Sequence, residues 1–271
     1  MFGSWKLGRI AGIPTYVHGT FWLLPLFVLM SGDVVDLALV FAVFGCVLLH
    51  ELGHALAGRY YGIRTADITL YPIGGVARME RMPESPGREI AVALAGPAVN
   101  VVIAGGIFLG MLGTNVVLPG SWSAADPFDQ FVARLFFANL FLAVFNLLPA
   151  IPMDGGRVFR ALLSLRLSRL RATEIAVFVG GLVALAFFVL AIYFSLWTLM
   201  ILAVAVFLMG KAELAQVRFA AAQQEWNRRL GELFQTVEVE SDGFTGWRFD
   251  PDTQVWTEWR NGVPLRDVRP L

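Results

Sequence analysis

Three adjacent titratable side chains stand in an otherwise apolar stretch, where the sequence reads His50-Glu51-Leu52-Gly53-His54. On a helix, residues i and i+4 share one face about 6 Å apart, so two imidazoles at this spacing can converge on one zinc ion. Glu51 is rotated by about 100° from His50 and can reach a water molecule beside such an ion. The pattern therefore predicts His50 and His54 as metal ligands and Glu51 as a proton acceptor. Hydrogen-bonded core histidines are the alternative, but three titratable groups would then need partners among apolar neighbours.

A catalytic zinc site usually takes three protein ligands, so a third ligand must come from elsewhere in the chain. The one remaining histidine, His18, lies at the mouth of the first apolar run. Asp154 is the stronger candidate, since it lies in the segment Pro149–Gly156, whose two prolines and two glycines break a helix and let a carboxylate point inward. The alternative is that Asp154 caps the N-terminus of the following helix. Beside the histidine pair, we expect it to bind the metal.

These residues belong to a chain that is too apolar for an ordinary soluble domain. Of its 271 residues, 57% are hydrophobic and 15% are charged, and the mean hydropathy is +0.65, whereas soluble domains carry about 25% charged residues. A helix needs about 20 apolar residues to cross a bilayer. The apolar runs that predict such spans are Thr15 to Gly32, Leu37 to Ala57, Ile90 to Leu112, Phe131 to Leu148 and Ile175 to Met209.

The last of these runs decides the number of spans. It holds 35 residues without a charge and would form a helix of about 50 Å, too long for one crossing. Two spans with a turn near Ser195 fit better. The sequence therefore predicts an all-α polytopic membrane protein with about six transmembrane helices over residues 1–211. Residues 212–271 hold 17 of the 42 charged side chains and predict a small soluble cytosolic appendix, with a helix and a small β unit.

The distribution of charge predicts the orientation in the membrane and disfavours one class of partner. The net charge is zero, with 21 basic and 21 acidic residues, whereas nucleic-acid binding requires a basic excess. Lys and Arg cluster in alternate loops, and basic residues concentrate on the cytoplasmic side. Both termini are therefore predicted to be cytoplasmic, in the cell membrane, if there are six spans. A single crossing by the last apolar run would place the tail outside.

The segment between the second and third spans predicts a β-structure. Residues Asp67 to Arg78 alternate poorly for a helix and hold β-formers around Pro72 and two glycines. They favour a short membrane-associated β-hairpin or edge strand, with a cytosolic loop as the alternative. An edge strand can pair with an extended substrate segment by β-augmentation and replace the hydrogen bonds of an unwound helix.

The two metal-binding motifs together resemble a known family. The His50-Glu51-x-x-His54 motif and the segment Asn146 to Gly156 look like those of the site-2 protease family of intramembrane zinc metalloproteases. Ala95 to Asn100 resembles the family's Gly-Pro-x-x-Asn element, and Ile73 to Gly75 resembles its membrane-dipping glycine loop. The resemblance covers residues 10–211. It implies one zinc ion per chain, bound by His50, His54 and Asp154, with Glu51 as the catalytic acid/base.

The resemblance implies an endopeptidase that cuts membrane-anchored proteins in or near their transmembrane segments, as in regulated intramembrane proteolysis. Asn100 is the candidate side-chain donor to the oxyanion, with an interhelical hydrogen bond as its equal alternative. Asn146 is expected to satisfy backbone groups freed by Pro149. The sequence shows no PDZ insertion, and 60 tail residues are too few for paired CBS domains.

A protein substrate and the lipid bilayer are the expected partners, and self-association into a homo-oligomer stays open. The alternative from another functional class is a non-proteolytic zinc-binding membrane scaffold. A fourth metal position left for water and the presence of Glu51 both favour the protease.

Overall fold

Two compact units make up the chain, Met1–Leu214 and Ala215–Leu271. The computed structural model describes residues 3–31, 34–72, 74–80, 85–113, 126–235, 243–251 and 253–268. Within these residues the helices are α1 (Leu23–Ser31), α2 (Val34–Tyr60), α3 (Pro86–Gly113), α4 (Pro127–Asn146), α5 (Asp154–Leu163), α6 (Arg169–Tyr193) and α7 (Trp197–Gln235).

Five of the described helices, α2, α3, α4, α6 and α7, are long and apolar enough to cross a bilayer. Large apolar side chains on them are exposed, such as Val102 and Phe141. Such a surface suits contact with hydrocarbon rather than with water. The prediction of an all-α polytopic membrane protein with about six spans is confirmed in part: the described residues are mostly helical and supply five candidate spans, and they also form two small sheets.

The last apolar run forms two helices, as its length predicted. Helix α6 ends at Tyr193 and α7 begins at Trp197. Between them, Ser195 has a φ of +54°, a left-handed conformation that cannot continue a right-handed helix. The run therefore supplies two candidate spans.

The first apolar run differs from its prediction. Its start belongs to strand β2 (Ile13–His18), a 3₁₀ helix follows over Gly19–Trp22, and α1 has only nine residues. A helix of that length covers about 14 Å, less than the hydrocarbon thickness of about 30 Å. Alternate residues of β2 are buried, as in a strand with one buried face. The high apolar content of this run concealed that alternation in the sequence.

A four-stranded sheet in the order β1-β2-β3-β4 lies in the first unit. Its other strands are β1 (Ser4–Ile10), β3 (Thr65–Tyr71) and β4 (Gly74–Met79). Strands β2 and β3 are parallel, and the other pairs are antiparallel. The hairpin predicted between the second and third spans is present as β3 and β4. Strand β4 packs against α2 and forms one edge of the sheet.

The second unit contains a three-stranded antiparallel sheet of β5 (Gly246–Asp250), β6 (Val255–Arg260) and β7 (Val263–Val268). The guanidinium of Arg266 lies 5.2 Å from the centre of the Trp247 ring. This cation–π contact joins the outer strands across one face of the sheet.

Helix α3 packs against three other helices, α2, α4 and α5. The approach of α2 depends on Gly53, where a Cβ atom would lie 2.8 Å from the carbonyl oxygen of Ala95. Real Cβ atoms do not approach a backbone oxygen so closely. The glycine within the His-Glu-x-x-His motif therefore allows the motif to lie directly on α3.

Candidate metal centre

Three potential ligand atoms from two helices meet in the interior. Nε2 of His50 and Nε2 of His54 lie 3.1 Å apart, and Oδ2 of Asp154 lies 3.2 and 3.1 Å from them. All three side chains are buried. The histidines come from successive turns of α2, and Asp154 is the first residue of α5. Within the described part of the chain, this is the cluster of His, Cys, Asp or Glu side chains that could hold a metal ion.

The donor set fits zinc in both spacing and chemistry. Ligand atoms about 2.0–2.1 Å from a tetrahedral zinc lie about 3.3–3.4 Å from one another, close to the separations seen here. Nδ1 of His54 lies 2.7 Å from the carbonyl oxygen of Val92. Because a carbonyl only accepts, this nitrogen carries the proton. Nε2 of the neutral ring then directs a lone pair towards Asp154, an arrangement that a cation stabilises.

Three positions on α3, Val92, Gly96 and Asn100, form what we call the anchoring face of α3. They are spaced by four residues and so lie on one side of the helix. The Val92 carbonyl binds the outer nitrogen of His54, and Oδ1 of Asn100 lies 2.5 Å from Nδ1 of His50. Between them, a Cβ atom at Gly96 would overlap Nε2 of His54 and lie 2.7 Å from Nε2 of His50. The glycine therefore leaves open the space beside both candidate ligand atoms.

Asp154 is positioned by a non-helical segment that folds back against α5. A Cβ atom at Gly155 would collide with the Leu147 carbonyl, and one at Gly156 would collide with the backbone nitrogen of Ile151. Only glycine permits this close approach. Among the described residues, no side chain caps the N-terminus of α5. The Asp154 carboxylate faces the histidines instead, and its role as a metal ligand stays a prediction.

Glu51 is on α2, and its carboxylate faces the edge strand β4. Its Oε2 accepts a hydrogen bond of 3.0 Å from the backbone nitrogen of Ala77. A Cβ atom at Gly75 would lie 2.6 Å from Cγ of Glu51, so this glycine allows β4 to approach the carboxylate. A peptide segment paired with the edge of β4 would therefore be brought close to Glu51.

A buried ion cluster holds α5, and with it Asp154, against the neighbouring helices. Nη2 of Arg160 lies 2.5 Å from Oε1 of Glu89 on α3, and Nη1 lies 2.7 Å from Oε1 of Glu213 on α7. The Arg160 side chain is 1% exposed. Burial lowers the pKa of its guanidinium, but the charge of Glu89 and the hydrogen bond with Glu213 raise the pKa above its usual range, so the group stays charged.

We expect Arg160→Met to destabilise the protein by about 3–5 kcal/mol, because it leaves the buried Glu89 carboxylate without its cation. Denaturant unfolding in detergent micelles measures this loss. Arg166→Met, an exposed change just beyond the same helix, should stay within about 0.5 kcal/mol of the parent. Adding Glu89→Met to Arg160→Met should recover stability, since no buried charge then remains unpaired. A loss below about 1 kcal/mol for Arg160→Met would contradict this account.

Several residues around the centre were not singled out from the sequence. Asn139 is one of two amides in the fourth apolar run, with Asn146, and Glu89 directly precedes the third. Arg160 counted only as one of the basic residues of a loop. The available signal was a polar group at membrane depth without a local partner. The third histidine, His18, lies outside the cluster, with Nδ1 2.8 Å from the hydroxyl of Thr20.

Asn100, the predicted oxyanion donor, has its amide turned to two side chains. Its Oδ1 faces His50, and its Nδ2 donates to Oδ1 of Asn139 at 3.0 Å. The oxyanion role stays a prediction. The interhelical hydrogen bond that was its alternative is present.

Comparison with known proteins identifies the family of the chain. The model of peptidase family M50 matches residues 38–121 and 110–189, more than half of the chain. The solved site-2 protease from Methanocaldococcus jannaschii has a TM-score of 0.59 and 32% identity, over 78% of this chain and 95% of that one.

Curated relatives point the same way. The zinc metalloprotease MJ0392 of Methanocaldococcus jannaschii is 36% identical over 67% of this chain and 52% of its own length. Stage IV sporulation protein FB of Bacillus subtilis is 29% identical over 71% of this chain and 64% of its own length. The chain thus spans about half to two thirds of these relatives. The resemblance to site-2 proteases is confirmed, and the chain belongs to peptidase family M50.

Proposed function

We propose that the protein is an intramembrane zinc endopeptidase that hydrolyses peptide bonds in or near the transmembrane segments of membrane-anchored proteins. The observation that carries this proposal is the convergence of His50, His54 and Asp154 within about 3.2 Å of one another, with Glu51 on the same helical turn. The names of the zinc metalloprotease relatives support it. Regulated intramembrane proteolysis is the process that such an activity would serve.

The proposed chemistry divides between the metal and one carboxylate. A single zinc ion held by the three ligands would polarise the scissile carbonyl and acidify the attacking water. Glu51 takes a proton from that water as the water oxygen bonds to the carbonyl carbon. Glu51 then delivers the proton to the amide nitrogen as the carbon–nitrogen bond breaks.

The proposed substrate segment pairs with strand β4. A transmembrane helix must lose its internal hydrogen bonds before its backbone can be hydrolysed, and an edge strand supplies replacements. The position of β4 beside Glu51, through the Ala77 hydrogen bond, supports this placement. We further propose that the protein lies in the cell membrane and that cleavage occurs near the cytoplasmic face. Both termini would be cytoplasmic with six spans, and the described residues supply five candidate spans.

We expect purified protein in lipid vesicles to cleave a single-span membrane substrate when zinc is bound, and to stop when a chelator removes the metal. Asp154→Asn should lower the zinc content well below one ion per chain, because a neutral amide replaces an anionic ligand. Elemental analysis and product mass measure the two effects. Asp126→Asn is the matched control, since this residue caps α4 away from the cluster.

Two outcomes would contradict the proposal. Normal zinc content in Asp154→Asn would remove Asp154 from the ligand set. A zinc-loaded parent protein that leaves membrane substrates intact would favour the scaffold alternative.

A further inference from the structure

A fully buried amide on α4, Asn139, is connected to the proposed ligand His50 through one intervening side chain. Oδ1 of Asn139 accepts a 3.0 Å hydrogen bond from Nδ2 of Asn100, and Oδ1 of Asn100 lies 2.5 Å from Nδ1 of His50. Both asparagines have 0% exposure. Two amides shielded from water therefore join α4 to the metal centre.

The orientation of this chain of amides follows from a backbone group. Nδ2 of Asn139 lies 2.9 Å from the carbonyl oxygen of Leu135 and 3.4 Å from Sγ of Cys46. A carbonyl oxygen only accepts, so the NH₂ group of Asn139 must face Leu135. Its oxygen then faces Asn100, which must present its own NH₂ group there. The oxygen of Asn100 is consequently left for His50.

The amide orientation determines which nitrogen of His50 carries the proton. An oxygen at 2.5 Å from Nδ1 can only accept, so Nδ1 is the donor and bears hydrogen. Nε2 of the neutral ring then has a free lone pair, directed at His54 and Asp154. If the Asn100 amide turned by 180°, its NH₂ group would favour the proton on Nε2, the tautomer that cannot bind a metal through that atom.

We propose that Asn139 is a positioning residue of the metal centre. It fixes the amide of Asn100 and, through it, the tautomer and ring orientation of His50. This inference rests on the proposed zinc-binding function. It differs from a packing role because only the hydrogen-bond acceptor at position 139 matters for the metal. Removal of groups that orient metal-binding histidines weakens metal affinity by about 10–100-fold.

The test measures the zinc dissociation constant of the purified protein by competition with a chelator. Asn139→Leu keeps the size of the side chain but removes the acceptor, and we expect about tenfold weaker binding. Asn139→Asp keeps an acceptor for Asn100, because burial favours the protonated carboxyl group, whose O–H can donate to the Leu135 carbonyl in place of the amide N–H. This variant should bind zinc like the parent. Thr173→Val is the matched control, because Thr173 on α6 is also fully buried and its side chain also donates a hydrogen bond to a backbone carbonyl of its own helix. It should leave zinc affinity unchanged.

A double-mutant cycle then separates the proposed route from a general loss of structure. Asn100→Leu should weaken zinc binding, and adding Asn139→Leu should weaken it little further, because the intermediate side chain is already gone. Additive effects would overturn the inference, as would equal weakening by Asn139→Leu and Asn139→Asp. Absence of zinc binding by the parent would instead overturn the proposed function.

Discussion

Glu51→Gln should abolish peptide hydrolysis and leave zinc bound. The amide has nearly the same size as the carboxylate but cannot accept a proton at neutral pH, so the attacking water loses its base. Loss of a general acid/base lowers the rate by about 10²–10⁴-fold. The proposed ligands lie on other residues, so the zinc content should stay near one ion per chain. Cleavage of a single-span substrate in vesicles and elemental analysis on the same preparation measure the two quantities.

Glu80→Gln provides the control for this change, because Glu80 is exposed just beyond β4. It should cleave at the parental rate. Undiminished cleavage by Glu51→Gln would remove the assignment of Glu51 as the base. Loss of both cleavage and zinc would indicate that the substitution disturbs the metal centre rather than the proton transfer.

Gly96→Ala should eliminate zinc binding. The added methyl group would overlap Nε2 of His54 and lie 2.7 Å from Nε2 of His50, so it competes for the space beside both nitrogens. Neither ring can simply move away, since Val92 and Asn100 hold their outer nitrogens. We expect the zinc content to fall to background and cleavage to fall with it.

Gly105→Ala is the matched control on the same helix, because a Cβ atom there meets no neighbour within 4 Å. Alanine favours a helix over glycine by about 1 kcal/mol, so this variant should be at least as stable as the parent and bind zinc normally. Parental zinc affinity in Gly96→Ala would show that the imidazoles are not confined by α3 as the geometry indicates.

The sequence predicted the parts of the centre that depend on local spacing. The His50 and His54 pair follows from the helical period alone. Asp154 was predicted as a ligand because it lies among prolines and glycines, which interrupt a helix in any fold. The turn at Ser195 followed from the length of the apolar run against the thickness of a bilayer.

The parts that escaped prediction depend on partners distant in the chain. Strand β2 pairs with β3, about 50 residues later, and this long-range pairing gave strand structure to a run whose composition favoured a span. The proposed role of Asn139 depends on its hydrogen bond with Asn100, and the structural role of Arg160 depends on its ion pair with Glu89. A single amide or guanidinium in the sequence does not reveal which distant group will face it.

The anchoring face of α3 also limits how this chain can vary in length. Val92 and Asn100 must stand two turns apart with Gly96 between them, since each holds one imidazole. One inserted or deleted residue between positions 92 and 100 would rotate one anchor by about 100° and shift it by about 1.5 Å. This stretch of α3 therefore has a fixed residue count.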